Sequence, residues 1–147
     1  MHLFFVEPTM NLLDRILDRT QRFPKLVDPP THAALDYLTT AYFMVVAGTL
    51  WGRHRRGATA ALINGCMVLG MSILTDYPGG LKKISFRTHG KGDIAQMMTA
   101  AALPVVLGFA RSSAATPLLL QAADEFVVIS ATDFDALESS RRSRRAA

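Results

Sequence analysis

The sequence predicts an all-α membrane protein: four transmembrane helices as two parallel-repeat helical hairpins, plus a short N-terminal amphipathic interfacial helix. Three observations predict it. Charge is nearly absent from three long stretches. Asp36 is the only charged residue between Leu35 and Leu50, and there is none between Gly57 and Leu74 or between Ile94 and Ala110. Windows of about 17–20 apolar residues suffice to cross a bilayer as helices. Polar signatures recur at one offset: His32 and His89, Asp36 and Asp93, Thr75 and Thr132, and Asp76 and Asp133 are each 57 positions apart. A constant spacing of this kind is what a duplicated unit leaves behind. Finally, eight of the 16 Lys and Arg residues lie outside the apolar region, in residues 1–30 and 134–147.

At 147 residues the chain is one domain. Its net charge of +4 comes from flanks and loops and reads as a membrane-surface signal. Basic and aromatic residues are not interleaved on one face, so nucleic acid is not an expected partner. The single cysteine, Cys66, excludes an internal disulfide.

Taken in order, residues 1–8 lack the basic region of a signal peptide and are too short for one, and Met10 is a second candidate start. Residues 9–23 fit an amphipathic helix, with Leu12, Leu13, Ile16, Leu17 and Phe23 near one face and Asp14, Arg15, Asp18, Arg19 and Arg22 near the other. It either lies on the membrane surface or packs against the polar end of the bundle. Pro29-Pro30 stop that element. Thr31 then caps the first span, His32–Trp51. The Arg53–Arg56 turn leads to the second span, Gly57–Thr75, which Pro78-Gly79-Gly80 ends. Thr88 caps the third, which runs to Ala110. The fourth is Ala114–Ala131, interrupted by Gln121, Asp124 and Glu125. The tail 134–147, with Arg141, Arg142, Arg144 and Arg145, reads as a disordered basic segment able to contact anionic lipid.

Aligning repeat one (31–76) with repeat two (88–133) without gaps gives nine identities: Thr31, His32, Asp36, Leu50, Ala58, Thr59, Leu62, Thr75 and Asp76 with their partners. The polar ones fall at helix ends. Asn64 and Gln121 correspond as an amide pair. Two hairpins in the same orientation imply a pseudo-two-fold along the membrane normal. Twelve Lys and Arg residues fall on the side holding both termini, against Arg53, Arg55, Arg56 and Arg111 on the other. The termini are therefore expected in the cytoplasm. Gly48-x-x-x-Gly52 and Ala61-x-x-x-Gly65 offer close helix approach, within the chain or in an oligomer.

The repeat also gathers chemistry. His and Asp at i and i+4 share a helix face. His32 and Asp36 open span one, His89 and Asp93 open span three, and Asp76 and Asp133 close spans two and four. All four ends lie on one membrane side in an up-down-up-down bundle. A carboxylate at a helix C-terminus needs compensation from a His, a neighbouring N-terminus, Lys82 or Lys83, or a cation. The ring His32, Asp36, Asp76, His89, Asp93, Asp133 can be a structural tie at headgroup level. It can also be a site for a divalent transition metal such as zinc, iron or manganese, or a metal-free catalytic pair with His as base. Glu125, eight positions before Asp133, sits about two turns inside span four. With Asn64 and Gln121 it is a candidate intramembrane polar residue.

These residues resemble the SPW-repeat type of small bacterial membrane protein. The likeness rests on paired spans, a His/Asp opening to each repeat, and Leu103-Pro104-Val105-Val106-Leu107-Gly108-Phe109, close to that family's Pro-x-x-Leu-Gly-Phe segment. The Ser and Trp are lacking; Ala47 stands where Pro104 falls, and Trp51-Gly52 opposite Gly108-Phe109. The resemblance covers about residues 31–133. It implies the fold, the topology and a bacterial inner membrane, and no activity. The expected function is a non-enzymatic membrane subunit, scaffold or sensor. The alternatives are a membrane-embedded metal enzyme or redox protein using the ring, and a small transporter.

Overall fold

The computed structural model describes residues 11–146. The N-terminal octapeptide and Met10 lie outside the described residues. The described chain is all-helical: α1 (Leu12–Thr20), α2 (Pro29–Leu50), α3 (Arg55–Leu74), α4 (Phe86–Val106), α5 (Thr116–Ala131, entered through a 3₁₀ turn at Ser113–Ala115) and α6 (Ala136–Ala146). Three helical segments are long and apolar enough to cross a membrane: Pro29–Leu50, Arg55–Leu74 and Ser113–Ala131. The expected third span also forms a helix, α4, but it is not among these three. Arg87, Lys91 and Asp93 fall in its first turns and dilute its apolar content.

Helix starts differ from expectation in one consistent way. The caps are Asp28 and Ser85, three residues before the expected Thr31 and Thr88. Asp28 Oδ1 accepts from the Thr31 amide at 2.9 Å, and Ser85 Oγ from the Thr88 amide at 3.1 Å. Hydrogen bonds from the Thr31 hydroxyl and then its amide hold the Asp28 carboxyl below its usual range. Pro29-Pro30 do not stop a preceding element. They form the first turn of α2, where no amide hydrogen is needed.

α1 is shorter than the expected 9–23 and sits on the polar end of the bundle, against α4 and α5. Leu17 is fully buried, and Asp14 and Asp18 pair with Lys91 and Arg87 of α4. Leu12 and Phe23 stay exposed.

α2 packs along α3, α4 along α5, and α3 along α4. Gly65 makes the α2–α3 approach possible: a Cβ there would lie 2.6 Å from Met44 Cε and 3.1 Å from Phe43 Cβ. Gly48 and Gly52 meet nothing within 4 Å, so their motif takes no part in packing inside the chain. The starts of α2 and α4 and the ends of α3 and α5 meet at one end, where His32 touches both His89 and Thr132, and His89 touches Thr75. The arginine-bearing turns meet at the other, where Arg56 Nη1 donates to the Leu107 carbonyl at 3.3 Å.

The interior has two apolar clusters. One, at the arginine-turn end, is built on Phe43, Phe109 and Leu118 with small alanines. The other surrounds the polar end with Leu17, Tyr77, Phe86, Ile94, Ile129 and Phe134. The tail expected to be disordered forms α6 instead. Glu138 in its first turn and Arg144 and Arg145 in its last both complement the helix dipole, and Arg141 reaches across to Asp76.

Candidate functional site

Each histidine is held by a threonine at the end of another helix, His32 by Thr132 after α5 and His89 by Thr75 after α3. His32 Nδ1 lies 3.0 Å from Thr132 Oγ1, and His89 Nδ1 lies 2.7 Å from Thr75 Oγ1. The two threonines already donate their hydroxyl protons, Thr75 to the Met71 carbonyl at 2.6 Å and Thr132 to the Val128 carbonyl at 2.7 Å. A hydroxyl has one proton, so each Oγ1 can only accept from the imidazole. Both Nδ1 atoms therefore carry hydrogen, and in the neutral rings both Nε2 atoms present lone pairs. Those Nε2 atoms face each other at 3.1 Å, with the rings nearly perpendicular at 81°.

Two carboxylates close the group. His32 Nε2 is 3.6 Å from Asp36 Oδ1 and 3.3 Å from Asp93 Oδ2. His89 Nε2 is 3.2 Å from Asp36 Oδ2 and 3.1 Å from Asp93 Oδ1. All four residues are buried. Ligand atoms from His32, Asp36 and His89 lie within 4.8 Å of one another, close enough to share one metal ion.

The two carboxylates are held differently. Asp36 Oδ2 accepts from the Tyr77 hydroxyl at 2.9 Å and from Ser72 Oγ at 2.8 Å, the Ser72 proton being shared with the Val68 carbonyl, also at 2.8 Å. Burial, with the Asp36 charge beside it, pushes the Tyr77 hydroxyl well above its ordinary range and keeps it a donor. Ile129 and Phe134 stand 57 residues after Ser72 and Tyr77, and neither can donate. Asp93 Oδ2 accordingly has no hydrogen-bond partner.

Aromatic rings seal this end. Phe86 and Phe134 stand edge-on to His32 at 5.3 and 5.4 Å, and Tyr77 edge-on to His89 at 5.5 Å. Phe134 fits because residue 90 is glycine: a Cβ there would lie 2.8 Å from the Phe134 ring. Gly90→Ala is therefore expected to destabilise the protein by about 1–3 kcal/mol through overpacking. Thermal melting in detergent checks this, and an unchanged melting temperature would show the ring free to move.

Of the six expected ring residues, four come together and two do not. Asp76 pairs with Arg141, and Asp133 Oδ1 accepts from the Asp135 amide at 3.1 Å. The cause is backbone geometry. Thr75 and Thr132 end their helices in extended conformation, with ψ of 148° and 134°. Successive side chains of extended chain point opposite ways. The threonines face inward and the aspartates outward. Sequence reasoning had the repeated Thr-Asp pair and assigned the site to its second member. It also missed Ser72 and Tyr77.

A second polar layer lies deeper. Gln96 Nε2 donates to Asn64 Oδ1 at 2.6 Å, and Gln121 Nε2 to Glu125 Oε2 at 2.7 Å, all four residues being buried. Glu125 thus faces the bundle interior. Asn64 and Gln121, which correspond in the repeat alignment, bond to different partners, Gln96 and Glu125. Thr40 Oγ1, Asn64 Nδ2 and Gln96 Oε1 are left without partners in this layer. Nothing matches this chain among protein-family models, curated proteins or solved structures.

Proposed function

We propose that this is an integral membrane protein of the SPW-repeat type, with four spans in two parallel hairpin repeats. It holds one divalent transition metal on His32, Asp36, His89 and Asp93. The observation that carries the metal is the pair of Nε2 lone pairs aimed at each other, their tautomers fixed by Thr75 and Thr132. Two facing lone pairs ringed by carboxylates are satisfied by a cation between them, the metal ion proposed or a proton shared by the two rings. Tetrahedral zinc with bonds of about 2.0–2.1 Å has ligand–ligand edges of about 3.3–3.4 Å. The histidine–histidine and histidine–carboxylate separations here run from 3.1 to 3.6 Å, but Asp93 lies outside the trio whose ligand atoms are all within 4.8 Å of one another and would have to shift to complete the set. Threonines on the distal nitrogens are the outer shell such a site uses to orient its histidines. The partnerless Asp93 oxygen is what a ligand atom awaiting its ion looks like.

The residues that would hold the ion are all buried, which restricts access for a substrate and supports a non-enzymatic role, as a metal-dependent subunit, scaffold or sensor.

The repeat reading is supported by contacts between equivalent residues. His32 meets His89 at one end of the bundle, and a Cβ on Gly57 would lie 2.8 Å from Ala114 Cβ at the other. Residues that touch their own equivalents lie on a two-fold axis. The parallel bridges Val27–Thr132 and Thr75–Ile84 are likewise related by the 57-residue offset. A fourth span at α4 is supported by the burial of its polar side chains His89, Asp93 and Gln96, while Met98, Val105 and Val106 face outward. The termini are assigned to the cytoplasm, in a bacterial inner membrane, and the arginines of α6 to anionic headgroups.

Elemental analysis of protein purified in neutral detergent tests the metal. About one zinc, iron or manganese per chain is expected, falling to background in His32→Ala. A metal-free protein that stays so after each ion is added back overturns the assignment.

A further inference from the structure

α3 packs along α4, but α2 and α5, which the repeat makes their equivalents, stay apart. Below the His32–Thr132 contact a groove of about 480 Å³ opens between them. Leu38, Thr39 and Tyr42 line it from α2, and Leu120, Gln121 and Asp124 from α5. Asp124 is exposed and makes no ion pair among the described residues. It lies about 16 Å along the helix from Ser113 and about 10 Å from Ala131, so the spanning arrangement puts it deep in the hydrocarbon. An unpaired carboxylate there is costly and marks a site.

Neither α2 nor α5 carries a Lys or Arg. A second copy docked through the same face would bring Asp124 against Asp124 and supply no counter-charge. The groove instead combines an acid with an exposed aromatic face, Tyr42, and apolar walls, Leu38 and Leu120. That is the chemistry that recognises a cation carried on an apolar body. Gln121, almost fully buried, spends its amide hydrogens on Glu125 and lines the groove between that buried acid and Asp124.

We propose that the α2–α5 groove is a lateral binding site for lipophilic cations, with Asp124 as counter-ion and Tyr42 as aromatic platform. The ligand enters from the bilayer. The site is separate from the His/Asp centre and depends on the spanning arrangement, not on the metal.

The test is calorimetric titration of the full chain, in neutral detergent, with tetraphenylphosphonium. Saturable binding of one cation per chain is expected. Asp124→Asn should weaken it at least about tenfold and Tyr42→Leu several-fold, consistent with a desolvated cation–π contact. Triphenylphosphine oxide, similar in shape and neutral, should not bind. Leu38→Phe, which fills the groove and spares the acid, should block binding and covers the case in which Asp124→Asn fails to fold. Equal affinity in wild type and Asp124→Asn, or equal binding of the neutral probe, overturns the proposal. So does a Thr39→Cys disulfide dimer in membranes of a Cys66→Ser background, which assigns the groove to a second copy. Carbonate extraction of membranes separates the two premises. Protein released to the supernatant overturns the spanning arrangement, and with it the groove; protein retained in the pellet that binds no tetraphenylphosphonium overturns the groove alone.

Discussion

His89→Ala is expected to abolish metal retention and to cost about 3–5 kcal/mol of stability, the usual range when one partner is removed from a buried charged group. Like His32, His89 touches the three other members of the centre and one threonine. Its Nε2 lies within 3.1–3.2 Å of His32 Nε2, Asp36 Oδ2 and Asp93 Oδ1, and its Nδ1 meets Thr75 Oγ1. Removing it leaves two buried carboxylates sharing the single imidazole of His32. It also opens a void beneath Tyr77 and Phe86, which pack against the His89 ring. The measurement is thermal unfolding in detergent, with chelator and with added zinc. Wild type should gain stability with zinc through linkage, since an ion that binds only the folded chain stabilises it by mass action. The variant should melt lower in chelator and gain nothing from zinc. A variant that melts with wild type would mean the histidine contributes neither to the fold nor to an ion site.

The location of this centre was legible because two patterns point to it together. The i, i+4 spacing of His32 with Asp36 and of His89 with Asp93 puts both pairs on helix faces, and the shared offset puts those faces at one end. Sequence alone did not show which polar residues turn inward where a helix ends. Thr75 and Asp76 are adjacent and equally repeated, and only the extended backbone at Thr75 decides between them. The helix caps were displaced for a similar reason. Thr31 and Thr88 carry the repeat identity, but the side chains that reach back to those amides are Asp28 and Ser85, which do not match each other. Gln96 was hidden in a run whose apolar character dominated, and its partner Asn64 had been matched by position to Gln121. The tail looked disordered by composition, and the Arg141–Asp76 pair that ties it to the bundle is a long-range contact no local pattern reveals.

Asp93→Asn and Asp36→Asn should part ways, although the two aspartates stand at the same place in their His-x-x-x-Asp motifs. Both remove a carboxylate from the proposed ligand set. Both should weaken zinc binding by more than about 100-fold, the upper end of what loss of a mere outer-shell partner costs. Without metal they should differ in size. Asp36 is held by the Ser72 and Tyr77 hydroxyls, and bonds to an ionised acceptor are roughly twice as strong as neutral ones. Asp36→Asn turns both into neutral bonds and is expected to lower stability in chelator by about 1–3 kcal/mol. Asp93 has an oxygen with no hydrogen-bond partner, because Ile129 and Phe134 replace those two donors. Asp93→Asn forfeits no hydroxyl bond of that kind, so in chelator it should melt above Asp36→Asn, though its contacts with the two imidazoles are weakened. Equal melting shifts in the two variants would mean that the Ser72 and Tyr77 hydroxyls do not distinguish the carboxylates. Asp93 would then have no claim to be the ligand kept free for the metal.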